Sequence, residues 1–375
     1  MELELTADQE ELRDGVRTML AGECPMAFVR SVVETGASVA PLWSQMVELG
    51  WPALTVPEAY GGLGLGTVEL AVVIEEIGRA IAPGPLVATT TQFLPTVLEL
   101  GTPEQQARFA GGVAEGLTGA LALVEPAHGI GVSGLATTAT ETPDGLVLDG
   151  VKPFVTHGAE VDEIVVVARL AGSDSPDAVA ACVVPRADVV VEAITPFDAT
   201  RPLARIVLDG VAVAADRVLG TPGTITARGV ERAVQVAAFG TAMESVGACQ
   251  TIFDVTLDYA KQREQFGVPI GSFQAVKHKF ADMIVVLEKA RASAYFAALT
   301  LAEDDDRRGL AVSAAKVAAS DCERLLTKEG IQLHGGIGYT WEHDMHLYVR
   351  RAKSDSLLFG SPAEHRERVA RALGL

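Results

Sequence analysis

The chain has 375 residues, 49% hydrophobic and 21% charged, with a formal net charge of −19. That composition supports two or three domains with large buried cores and lies far from the pattern of disorder. The acid excess excludes nucleic-acid recognition, which needs a Lys/Arg-rich face, and argues against docking on acidic membranes.

From the N-terminus to about residue 118 the chain reads as helical. LTADQEELRDGVRTML offers Thr6 as an N-cap with Glu10 close behind, then apolar residues at helical spacing. MELGWPALTVPEAYGGLGLG breaks into a glycine-rich loop at 61–66, and TVELAVVIEEIGRAIA is a near-continuous apolar helix. The acidic start carries no signal-peptide apolar segment, and no run is long enough to span a bilayer. A cytoplasmic chain is expected. Cys24, Cys182, Cys249 and Cys322 are widely spaced, as reduced core thiols would be.

From about 119 to 224 the period changes to two. LTGALALVEP, ATTATETPDGLVLDGVKPFVTHG, DEIVVVARL, DAVAACVVP, VVVEAITP and RIVLDGVAV are short β-rich runs, which turns at PDG, LDG, GSDSPD and a second LDG are expected to separate. From about 225 onward four long helical stretches follow, the last being SPAEHRERVARAL. The expected fold class is α+β: an N-terminal helical domain (1–118), a middle antiparallel β-barrel (119–224) and a C-terminal four-helix bundle (225–375).

GIGVSG at 129–134 fits G-x-G-x-x-G, but strand and turn follow it where a dinucleotide site needs a helix. His343 and His346 in WEHDMH lack the further ligands of a metal site, so surface or interface histidines are expected and no metal. No G-x-S-x-G elbow anchors hydrolase chemistry. Two stretches are more specific. In YAKQREQFGVPIGSFQAVKHKFADM, Arg263, Gln265 and Phe266 cluster at a turn and Gln274 opens the next helix. In QLHGGIGYT, Gln332 and the backbone amides of Gly335 and Gly336 meet a helix end. An arginine with free N–H groups suits a diphosphate, and a phenylalanine suits an adenine face; helix capping is the plain alternative.

These residues, with LVEP and VKPFVTHGA, resemble the acyl-CoA dehydrogenase family along nearly the whole chain. The resemblance implies α,β-dehydrogenation of an acyl-CoA thioester. A carboxylate removes the α-proton, FAD takes a hydride from the β-carbon, and an electron-transferring flavoprotein reoxidises it. It implies that Thr156 supplies a hydroxyl beside the flavin, with Phe154 at a position usually held by Trp. It further implies that Arg263, Phe266, Gln332, Gly335 and Gly336 reach the FAD of a neighbouring subunit. Gln265 and Gln274 complete the implied cofactor set, Gln274 at the dimer interface.

The departures concern the base. The family's C-terminal Glu position falls on Phe359, and its alternative Glu-Arg position on the long helix falls on Ala237-Ala238. Glu231-Arg232 lies six positions early, on another face and about 9 Å away. Glu244 lies seven residues after Ala237, nearly on the same face, and is the better geometric candidate, Glu231 serving only if the helix begins with a distortion. AHGIGVSG follows Glu125-Pro126 where the family has a Gly-Ser-Asp run. The pattern resembles the Glu-less partner in α2β2 members that act on CoA thioesters of steroid side chains. The alternatives are a self-sufficient homomeric enzyme using Glu244 and a flavin-free assembly or acyl-binding protein.

Overall fold

Thr6 opens the first helix through a reciprocal cap: its hydroxyl accepts from Gln9 N and its own N–H donates to Gln9 Oε1 at 3.0 Å. The partner is Gln9 rather than Glu10, because N3 is the position that reaches back to the cap. The structure is a computed structural model describing residues 4–125, 130–132, 134–173, 175, 177–220 and 226–375. Its helices before the sheet are α1 (Ala7–Glu23), α2 (Met26–Thr35), α3 (Ala40–Glu48), α4 (Thr67–Ala80), α5 (Leu86–Ala88), α6 (Leu94–Leu100) and α7 (Pro103–Ala114). Seven strands follow: β1 (Gly119–Ala122), β2 (Thr138–Thr142), β3 (Gly145–Thr156), β4 (Glu163–Leu170), β5 (Val179–Pro185), β6 (Val190–Ile194) and β7 (Leu203–Ala214). Then come α8 (Thr226–Gln262), a hairpin of β8 (Glu264–Gln265) and β9 (Val268–Pro269), α9 (Gln274–Ala302), α10 (Arg308–His334), α11 (Met345–Leu357) and α12 (Pro362–Ala372). No described helix is long and apolar enough to cross a membrane.

The chain forms two compact units. The helical one comprises Met1–Ala37, Thr67–Pro83 and Ala238–Leu375, so helices from both ends of the sequence share it. Within it α10 packs on α9, α11 and α12. Helix α4 is buried without interruption from Leu70 to Gly78. It meets α8 at glycines: a Cβ on Gly78 would sit 2.1 Å from the Glu244 carbonyl oxygen, and one on Gly247 would sit 2.0 Å from that of Glu75. Two adjacent acids on α4 become buried there and are paired. Arg17 holds Glu76 through two hydrogen bonds of 3.0 and 2.7 Å, while Arg291 and Tyr295 hold Glu75.

The second unit, Ser38–Gly66 and Gly84–Ala237, holds the seven-stranded sheet. Its order is β1-β4-β2-β3-β7-β6, with β5 on β4. Antiparallel pairing holds for β2·β3, β3·β7, β4·β5 and β6·β7, whereas β1 and β2 both run parallel to β4. They lie end to end along one edge of β4, β1 beside Glu163–Val166 and β2 beside Arg169 and Leu170. The two LDG tripeptides are not turns. Both lie inside the long strands β3 and β7, which pair with each other across a register shift between Leu148 and Gly150. Asp149 closes the irregularity by accepting from Gly210 N at 2.9 Å. A core of Val, Ile, Leu and Ala side chains, including Leu148, Ile164, Val166, Val184 and Ile206, fills one side of the sheet.

The glycine crossing can be tested. Gly78→Ala should destabilise the protein by about 1–3 kcal/mol or more, since the clash is with backbone. Gly15→Ala, exposed on α1 with nothing within 4 Å of its Cβ, should gain about 0.5–1 kcal/mol. Chemical denaturation of both variants checks the pair; equal midpoints would refute the close crossing.

Candidate functional site

The α8–α9 connection is a two-residue hairpin loop. Phe266 and Gly267 both take positive φ, 56° and 79°, the geometry that matches strand twist in tight hairpins. The turn leaves Phe266 93% exposed, its ring edge-on to Phe273 at 6.2 Å. Arg263 anchors the hairpin by backbone: its N–H reaches Tyr259 O and its carbonyl accepts from Ile270 N, both at 2.8 Å. Its exposed guanidinium has no hydrogen bond or ion pair among the described residues. Gln265 is exposed, with its amide on the Glu264 carbonyl, and Gln274 is exposed at the start of α9 beside His278.

Helix α10 ends at the second motif. Gly335 has φ 66° and ψ −143°, which stops the helix. Gln332, Gly335 and Gly336 are exposed, and a Cβ on either glycine would meet nothing within 4 Å. His334 is buried, with Nδ1 donating to Gly330 O at 2.8 Å and its ring stacked on Tyr259 at 4.5 Å. Tyr259 lies one turn before Arg263, so this stack joins the ends of α8 and α10 and brings the two motifs together. A free guanidinium, unobstructed glycine backbone and an exposed aromatic ring fit a diphosphate carrying flat rings. His343 lies edge-on to His334 at 4.7 Å, and His346 stacks on Trp341 at 4.5 Å. Among the described residues no group of three His, Cys, Asp or Glu could hold a metal ion.

The two positions on which the sequence resemblance puts a base hold no acid. Ala237 and Ala238 are buried in α8. Phe359 is buried at φ 53°, and its carbonyl accepts from His365 Nε2 at 2.9 Å. Burial pushes the His365 imidazole down to about 4, which keeps it neutral for that bond and for its contact with Ser313. Glu231 is exposed, and Arg232 is paired with Glu99 on α6 at 2.7 Å. Glu244 and Arg351 are 1% and 2% exposed and form an ion pair within the helical unit.

On β3, Phe154 is 46% exposed, whereas Thr156 is 2% exposed and donates its hydroxyl proton to Gln92 Oε1 at 2.8 Å. Sequence reasoning missed a second polar contact here. Lys152 Nζ, fully buried, donates to Leu123 O at 3.1 Å and to Glu125 Oε1 at 2.7 Å. Glu125 also accepts from Ala136 N and Thr137 N at 2.5 and 3.1 Å, so one carboxylate clasps both ends of the intervening loop. Burial pushes the Glu125 carboxyl up, but hydrogen bonds from Lys152 and Thr137 outweigh it and hold the group down at about 2. Burial lowers Lys152 to about 8 against the pull of Glu125. The available signal was two opposite charges in runs otherwise apolar, LVEP and VKPF. Within the loop, residues 126–129 and 133, which include part of GIGVSG and of AHGIGVSG, lie outside the described residues.

Three family models cover the chain: acyl-CoA dehydrogenase N-terminal domain at 6–117, middle domain at 120–211 and C-terminal domain at 227–374. The acyl-CoA dehydrogenase IpdE2 of Mycobacterium tuberculosis is 32% identical over 95% of this chain and 94% of its own. Butyryl-CoA dehydrogenase of Megasphaera elsdenii superposes with a TM-score of 0.93 at 26% identity, covering 100% of both chains. A Tcur3481-Tcur3483 steroid ACAD, G363A variant, superposes with a TM-score of 0.86 at 28% identity, covering 98% of both chains.

The clasp predicts a paired stability effect. Lys152→Met should cost about 3–5 kcal/mol by stranding a buried carboxylate, and adding Glu125→Gln should recover part of it. Glu125 titrates at about 2 in the fold against an ordinary 4.5. Its stabilisation is therefore complete above about 4.5 and is lost as pH falls toward 2. Denaturation midpoints across that range should flatten in Glu125→Gln; an unchanged acid limb would count against the clasp.

Proposed function

The chain belongs to the acyl-CoA dehydrogenase family, and from that premise we propose that it is the base-less subunit of a heteromeric enzyme and completes its partner's flavin site. The family is of FAD-dependent oxidoreductases acting on acyl-CoA thioesters. Bound FAD supplies the hydride acceptor. The observation that carries the proposal is the lack of a carboxylate at both base positions, Phe359 and Ala237, beside an intact and open lending surface. Without an acid there, this chain has no group to take the α-proton.

Arg263, Phe266, Gln332, Gly335 and Gly336 bind across the interface: the guanidinium and backbone N–H groups hold the diphosphate, and the Phe266 ring covers a flat ring. Gln265 and Gln274 frame this arm. The partner is a second acyl-CoA dehydrogenase subunit carrying the Glu, in an α2β2 arrangement, with an electron-transferring flavoprotein as oxidant. The substrate is a bulky acyl-CoA of the steroid side-chain type, a reading supported by likeness to the Tcur3481-Tcur3483 steroid ACAD. A cytoplasmic site of action is supported by four unpaired cysteines. The rival base, Glu244, is engaged by Arg351 in the core, which speaks for a structural role.

Co-expression with a Glu-bearing acyl-CoA dehydrogenase subunit tests the reading. Expected is a mixed tetramer with one flavin per two chains, and no turnover by this chain alone. A flavin-replete, active homotetramer would refute it. Glu244→Gln should lower stability by about 3–5 kcal/mol through the stranded Arg351, and should leave the pH profile of kcat/KM in the mixed enzyme unmoved. Loss of turnover, or of the acid limb of that profile, with flavin retained would instead identify Glu244 as the base.

A further inference from the structure

Building on the heteromeric reading, we infer that Gln92 withdraws Thr156 from cofactor contact in this chain, so the assembly's flavin lies against the partner's middle domain alone. A hydroxyl has one proton to give. That of Thr156 goes to Gln92 Oε1 at 2.8 Å, and the two residues are 2% and 3% exposed. The pair is therefore satisfied inside its own unit and offers almost no surface to a ligand. Phe154, two positions earlier on β3, remains 46% exposed.

Gln92 is held where it is by its backbone. It sits in a π-helical segment, Thr89–Phe93, between α5 and α6, whose five residues are all buried. Such widened turns are rare and occur frequently at functional sites. Three hydroxyls support this one by bonding carbonyls four residues back: Thr90 to Leu86, Thr91 to Val87 and Thr96 to Gln92, at 2.8, 2.6 and 2.7 Å. Thr89 Oγ1 accepts from Gly119 N at 3.1 Å, which ties the segment to β1. Phe93 packs so closely on that strand that a Cβ on Gly119 would sit 2.2 Å from its Cγ. The segment therefore fixes the backbone from which the Gln92 side chain reaches Thr156. The bond spans 64 residues, so neither local sequence nor strand pairing enforces it. It is a tertiary contact that fixes which way the hydroxyl faces.

The test uses the mixed assembly with substitutions in this chain only. Thr156→Val and Gln92→Leu should each leave flavin content and the visible flavin band unchanged. Each should lower the denaturation midpoint by about 2–4 °C, because the other member of a buried pair is left unsatisfied. The double variant should regain most of that loss, since replacing both partners by apolar groups is nearly neutral. Arg263→Gln should weaken FAD retention roughly tenfold or more, as expected for a charge-assisted contact. Lost flavin, a shifted band or an unmoved midpoint in Thr156→Val overturns the inference. A silent Arg263→Gln instead sinks the heteromeric reading and leaves the Gln92–Thr156 assignment standing.

Discussion

The Glu244–Arg351 ion pair sets what α8 can do. Both groups are almost fully buried, and neither would be tolerated there alone. The pair fastens α8 to α11 within the helical unit and at the same time engages the carboxylate that lies nearly on the same face of α8 as Ala237. Beyond this anchor α8 continues to Gln262, where the hairpin begins. Ala238 and Gln262 are 24 positions apart, so about 36 Å separates them along the axis. On the proposed reading, that spacing along one helix is the physical reason for assigning the Arg263–Phe266 arm to a neighbour's site rather than to this chain's own.

A carboxylate is a base only while its lone pairs are unspent, and three acids in this chain show how burial spends them. Glu244 is held by Arg351 and Glu125 by Lys152 with two backbone amides, while Glu75 receives Arg291 and Tyr295. The Glu231-Arg232 pair fails differently. Its arginine is committed to Glu99 on α6, so the residue types match a catalytic pair while the arginine is tied elsewhere. Identity and spacing nominate a base; the hydrogen-bond partners weigh against Glu244 and the Glu231-Arg232 pair on the proposed reading.

How much the sequence disclosed follows from the range of the forces involved. The change of period at about residues 119 and 225 gave the helix–sheet–helix layout because patterning is local. The hairpin and the Gly pair were legible for the same reason: each is a turn whose chemistry lies within a few residues. Reading LDG as a turn failed because Asp-Gly is equally suited to a bulge inside a long strand, and only the partner strand distinguishes the two. The parallel pairings on β4 depend on connections that no period records. The Glu125–Lys152 and Thr156–Gln92 contacts span 27 and 64 residues, and a single sequence carries no signal for either beyond an unexplained polar residue in an apolar run.

Phe266 gives the surface argument its energetic side. The first central position of a hairpin turn with two positive-φ residues favours Asn, Asp or Gly. A bulky side chain there costs about 1–2 kcal/mol, and leaving a phenyl ring 93% exposed forgoes the burial that would offset it. Within its own chain the ring gains one edge contact with Phe273. Asn at this position would make a more stable isolated subunit. On the proposed reading the ring recovers that cost when a flat group covers it, while Arg263 and the open Gly335–Gly336 backbone bind the charged part of the same molecule.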